Sequence, residues 1–138
     1  KEDEDAKLVS RKEGTDSVIP TVVQHHLKRF LELFHSKRPE VRHQALKLVY
    51  VALKMGLVNP FQCIPPAISL LTDTDREVQD DAVKLLHFFN EKRPKELRNL
   101  AISGLEACCD FQRSVNSQFD PFGDSSKISD CFKGIHRL

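Results

Sequence analysis

Two stretches of this chain, "PEVRHQALKLV" at 39–49 and "REVQDDAVKLL" at 76–86, write one helix grammar twice with different charges. Val41 and Val78, Ala45 and Ala82, and Leu48 and Leu85 each stand 37 residues apart, as do Glu40 and Glu77 and Lys47 and Lys84. The same offset joins Leu27, Ile64 and Ala101, then Leu31, Ile68 and Leu105, then Phe34, Leu71 and Cys108. Self-similarity at one period predicts a repeated helical hairpin, here three first helices and two second helices. A single hairpin cannot bury its apolar face, whereas stacked hairpins share a continuous core. The expected fold class is therefore all-α, with stacked antiparallel helix pairs.

Helical spacing of apolar residues fills in the elements. Val22, Val23, Leu27, Phe30, Leu31 and Phe34 make the stripe of a first helix over roughly 18–35. Pro39 opens a second helix in a first turn where its missing N–H costs nothing. Its expected buried face is Val41, Ala45, Leu48, Val49 and Ala52, and it ends near Gly56. Asn59-Pro60 reads as an N-cap and first-turn proline, but Pro65 and Pro66 sit too deep for one clean helix. A turn at 60–64 and a short helix to Leu71 are expected instead. "TDRE" at 74–77 has the capping-box spacing and starts a fourth helix burying Val78, Ala82, Leu85, Leu86 and Phe89. Pro94 opens a fifth helix carrying Leu97, Leu100, Ala101, Leu105 and Cys108 to about Val115. No stretch makes a strand, since "LKLVYVAL" lies inside a helical period. Residues 1–16, with six acids and four bases, are expected to be a disordered lead-in. At the other end "SQFDPFGDSS" reads as a loop, with one more helix over 126–137.

At 138 residues the chain suits one domain, and its net charge of +1 names no partner. No run of about 18 apolar residues exists to cross a membrane, and the charged start "KEDEDAK" is no secretory signal. Lys1 stands where an initiator methionine would, so the chain is read as a piece of something larger. Cys63, Cys108, Cys109 and Cys131 form no CxxC pair, which favours a reducing compartment and structural, buried thiols. Six histidines show no HExxH or paired Cys/His spacing, and no Gly-rich phosphate loop occurs. The expectation is a non-enzyme with no metal and no cofactor.

A 37-residue period lies a little below the roughly 40–47 of HEAT and armadillo units and near the 34 of the tetratricopeptide repeat. Val41-Arg42 with Ala45, and Asp73, Val78 and Ala82 with Gln79 replacing the arginine, resemble the HEAT pattern. That makes 17–116 a HEAT-repeat α-solenoid segment. "GLVNPFQCIPPAISLLTD" at 56–73 is more particular, through Gly56, Leu57, Pro60, Gln62, Cys63, Pro65, Thr72 and Asp73. It resembles the C-terminal HEAT region of the Nipped-B family of cohesin loaders. The likeness runs into "VRHQAL" at 41–46 and "AISGLEACCDFQRSV" at 101–115, while Pro66 departs from the pattern and "FGDSSKISDCFKGIHRL" matches nothing in it.

The resemblance implies a nuclear, chromatin-associated, hook-shaped helical-repeat protein acting in sister chromatid cohesion. Such a protein loads cohesin by engaging its kleisin subunit and SMC ATPase heads while gripping DNA. It stimulates cohesin's ATPase without being an ATPase. A generic HEAT adaptor or scaffold with other protein partners would share the repeat without the 56–73 signature.

Local charge supplies the candidate contact residues. Residues 25–54 hold seven bases against Glu32 and Glu40, a balance of +5, whereas 72–81 hold five acids against Arg76, a balance of −4. Lys37, Arg38, Arg42 and His43 form one candidate DNA or partner contact, and Lys92, Arg93, Lys95 and Arg98 a second that is expected to join it. Without a reading helix, DNA binding there would be weak and not sequence-specific. The competing reading is a solvated helix face. For Arg42 it is a structural ion pair, because an arginine at this place in HEAT units commonly meets an aspartate such as Asp73.

Overall fold

The computed structural model describes residues 18–116. The lead-in expected over 1–16 and the loop and helix expected within 117–138 lie outside the described residues. Among the described residues there are six helices and no strand: α1 (18–32), α2 (Pro39–Lys54), α3 (Pro60–Ser69), α4 (Arg76–Lys92), α5 (Pro94–Asn99) and α6 (Ala101–Val115). Short 3-10 turns at Leu33–His35 and Leu70–Thr72 extend α1 and α3.

The 37-residue period reappears in the backbone. Ser36 and Asp73, which follow the two 3-10 turns, adopt φ/ψ of −61°/140° and −62°/148°. Arg38 and Asp75, the residues before α2 and α4, adopt −91°/117° and −83°/122°. Side chains repeat the pattern: Arg42 Nη1 donates to the Ser36 carbonyl, and Gln79 Nε2 donates to the Asp73 carbonyl. Glutamine thus replaces arginine in holding the turn six residues upstream.

Two helical layers result. In one, α2 and α4 run parallel and adjacent, joined where His43 meets Asp81 and where the Tyr50 and Phe88 rings pack edge to face. In the other, α3 lies between α1 and α6: Gln24 bonds the Gln62 side chain and the Asn59 N–H, while Gln112 bonds the Thr72 carbonyl and hydroxyl. Phe34, Ile64, Leu71, Leu85, Phe89 and Phe111 fill the core.

Four expectations need correction. First, α3 is continuous from Pro60 to Ser69 through Pro65 and Pro66. The prolines remove donors to the Phe61 and Gln62 carbonyls, but both of those residues are exposed, so water can hydrate the carbonyls. Second, α4 is capped by Asp75 rather than Thr74, with its carboxylate accepting from the Glu77 and Val78 N–H groups at 2.9 and 3.1 Å. A carboxylate at a helix start also complements the macrodipole, which threonine cannot do.

Third, the single fifth helix divides at Leu100, whose φ/ψ of −95°/2° redirects the chain. The six-residue α5 takes up sequence, so α6 pairs with α3 at an offset of 40, as Ile68 with Cys108 and Thr72 with Gln112 show. Gly104 then faces Ile68, while Ala101 and Leu105 are exposed.

Fourth, the buried face of α2 is Arg42, Ala45, Leu46, Val49, Ala52 and Leu53, whereas Leu48 is 47% exposed. Its counterpart Leu85 is fully buried, on the α4 face with Asp81 and Phe88 that turns toward α2. The equivalent α2 face, with Leu48, Val51 and Met55, has no described helix against it. Repeats look alike in sequence, but among the described residues this copy has a helical neighbour on one side alone.

Candidate nucleic-acid and partner interface

Arg42 sits in the first turn of α2, where Pro39 sets the helix start and Val41 begins the apolar stripe. It is only 3% exposed, and its fork meets both Asp73 carboxylate oxygens at 2.6 Å, while Nη1 reaches the Ser36 carbonyl at 2.8 Å. Phe111 lies under the guanidinium at 5.7 Å. The structural ion pair anticipated for Arg42 is therefore formed. A bidentate Arg–carboxylate pair is strong and directional, and it leaves the guanidinium unavailable to solvent.

His43 is also engaged. Its Nε2 meets Asp81 at 2.8 Å, and Nδ1 stands 3.7 Å from Glu77. Lys84 donates to the same Asp81 carboxylate at 2.7 Å. Burial pushes Asp81 up, but the bonds and charges of Lys84 and His43 outweigh it and hold the carboxyl below its ordinary value. These groups line a charged cleft with Lys47 and Asp80. The opposite signs of the two stretches thus meet in the α2–α4 seam, and part of the basic excess is used there.

Lys37 and Arg38 remain at the turn edge, exposed, with Arg38 only loosely near Glu40 at 3.8 Å. Lys92, Arg93, Lys95 and Arg98 are all exposed at the far end of α4. With about 1.5 Å of rise per residue, the 17 residues of α4 hold the two basic groups some 24 Å apart. They form two separate edges, not one surface.

Lys54 joins the second edge at the end of α2, with its ammonium 4.8 Å from the Tyr50 ring, and the Arg93 guanidinium lies 5.9 Å from Phe61. Sequence reading counted Lys54 only within the basic stretch 25–54, because helix pairing alone shows which ends coincide. Cys63 and Cys108 are buried, which pushes both thiols up to about 12, far from a nucleophile's range. Among the described residues no helix is long and apolar enough to cross a membrane.

The residues of the 56–73 signature build this frame. Gly56 takes the left-handed φ of 69° that ends α2, Asn59 caps α3, and Gln62 bonds Gln24. Cys63 is buried, Thr72 receives Gln112, and Asp73 holds Arg42. Residues 19–137 match the family Nipped-B_C, described as Sister chromatid cohesion C-terminus. The chain belongs to the Nipped-B family.

This Nipped-B chain is 27% identical to the Nipped-B-like protein of Mus musculus over 122 residues, covering 83% of the chain and 4% of that protein. Nipped-B-like protein A of Danio rerio is 30% identical over 95 residues, with 69% and 4% covered. The Nipped-B protein of Drosophila melanogaster is 29% identical over 92 residues, with 67% and 4% covered. The chain therefore spans about 4% of the length of these Nipped-B relatives. No solved structure gives a significant match.

Proposed function

We propose that the chain is part of the HEAT-repeat α-solenoid of a nuclear, chromatin-associated cohesin-loading protein. In this reading it helps that protein engage the cohesin SMC ATPase heads, the kleisin subunit and DNA. It acts by binding and by stimulating cohesin's ATPase, and is not itself an enzyme. The match of 19–137 to the sister chromatid cohesion family carries the reading. The repeated turn geometry supports stacking of further hairpins, and the uncovered apolar face of Leu48, Val51 and Met55 has the composition such stacking needs.

Lys37 and Arg38 are the DNA contact in this reading, because they are basic, exposed and clear of the core. Pull-down of cohesin heads and kleisin by the chain, with salt titration of its binding to duplex DNA, tests both parts. Lys37→Glu with Arg38→Glu is expected to weaken DNA binding while the circular dichroism spectrum is unchanged. Failure to retain either cohesin component would favour a generic adaptor, and DNA binding that ignores salt would overturn the assignment of the edge.

A further inference from the structure

An apolar groove of about 320 Å³ opens where α4, α5 and α6 meet. Ile68 lines it from α3, and Leu97, Ala101 and Leu105 line it from α5 and α6, with Pro94 and Arg98 among its remaining lining residues. Leu105 is 48% exposed, and the adjoining Ile102 is 73% exposed. The groove accompanies the short α5: the offset of 40 between α3 and α6 leaves Ala101 and Leu105 at the surface.

The charge beside the groove is mainly basic, with Lys92, Arg93, Lys95 and Arg98 against Glu91 and Glu96. Lys92, Lys95 and Arg98 are exposed and form no ion pair with any described residue, and Arg93 is only 3.6 Å from Glu96. Beyond Lys92 and Arg93 lies a second depression of about 300 Å³, floored by Leu53, Val58, Phe88 and Phe89. A basic ridge thus separates two apolar seats.

Duplex DNA satisfies half of this chemistry. Its phosphates suit the ridge, but it has no apolar side chain to fill either seat. A protein segment with apolar side chains flanked by aspartate or glutamate satisfies both halves, its anchors seated and its acids on Lys92, Arg93 and Arg98.

We propose that the junction of α4, α5 and α6 is a docking site for an acidic amphipathic protein segment. The inference goes beyond the role in cohesin loading and stands on the groove and its charge alone.

The test pans a random peptide display library against the whole chain and measures the winning peptide by fluorescence anisotropy. Enriched peptides are expected to pair apolar residues with Asp or Glu. Leu105→Glu should reduce affinity roughly tenfold or more, since it places a charge in the seat of an anchor. Arg98→Glu should reduce it less, and should not affect a peptide whose acids are changed to amides. Both side chains are exposed, so folding is preserved, which circular dichroism checks. No enrichment, enrichment of basic peptides, or unchanged binding to Leu105→Glu would each overturn the proposal. So would displacement of the peptide by duplex DNA, or a wild-type dimer that Leu105→Glu makes monomeric, since either assigns the groove to another occupant. Cohesin appears in none of these measurements, so failure here leaves the cohesin reading intact.

Discussion

Replacing Asp73 by asparagine should remove a large share of this protein's stability, although the two side chains have the same shape. Arg42 is buried with Asp73, and the two 2.6 Å bonds between them neutralise a charge that water cannot reach. Asparagine keeps one acceptor, turns an N–H toward the guanidinium, and leaves the positive charge uncompensated. Removing one partner of a buried pair costs about 3–5 kcal/mol. Two contacts survive, the Ser36 carbonyl at 2.8 Å and the Phe111 ring at 5.7 Å, so the lower end of that range applies. Asp73→Ala adds a cavity and frees the Asp75 N–H, now 2.9 Å from the carboxylate, and belongs at the upper end. Small domains hold roughly 5–15 kcal/mol in all. Urea unfolding followed at the helical dichroism band measures the loss. With a slope of about 1–3 kcal/mol per molar, 3 kcal/mol lowers the midpoint by about 1–3 M. Arg42→Met with Asp73→Leu should recover part of the loss, because two apolar side chains need no charge compensation, although the Asp75 N–H and the Ser36 carbonyl lose their partners. If Asp73→Asn costs under about 1 kcal/mol, or the double variant is no better than the single, the argument from uncompensated charge is wrong.

Gly104→Ala should cost about 1–3 kcal/mol despite alanine's higher helix propensity, because the new Cβ meets Ile68 Cβ and Cγ2 at 2.9 Å. Ile68→Val in the same chain should return part of it, and thermal melts of the three variants decide. Asp81 lies below its ordinary value when folded, so its stabilisation is present above the ordinary carboxylate value and is lost as pH falls through the folded one. Asp81→Asn should therefore flatten stability between about pH 5 and pH 3, which urea midpoints along that range report. In a Cys131→Ser background at about pH 8, Cys63 and Cys108 should resist a thiol reagent until urea is added, while the half-buried Cys109 reacts first.

Much of the fold was legible because repetition doubles every signal. The buried set of α4, Val78, Ala82, Leu85, Leu86 and Phe89, came out of periodicity alone, since α4 has neighbours on both flanks. The same grammar misplaced Leu48, because burial depends on a neighbour that the letters of α2 do not encode. Pro65 and Pro66 misled for a related reason: proline's penalty depends on whether the stranded carbonyls reach water, a tertiary property. At the candidate site, Arg42 and Asp73 were legible as a pair through their chemistry and place in the repeat. The groove was hidden, since Leu97, Ala101 and Leu105 read as core, and only the slip caused by α5 exposes them.

Asp73 is held from two directions, its carboxylate by Arg42 of α2 and its carbonyl by Gln79 of α4. Of the two, only the Arg42 grip crosses from one hairpin to the other, while the Gln79 grip fixes the turn that presents Asp73 to it. The segment 93–100 has no comparable clasp, and α5 buries no residue. With so little buried, α5 is the element expected to open most readily, and it forms one wall of the groove. A ligand bridging α5 and α6 would act as a splint across the softest part of the array.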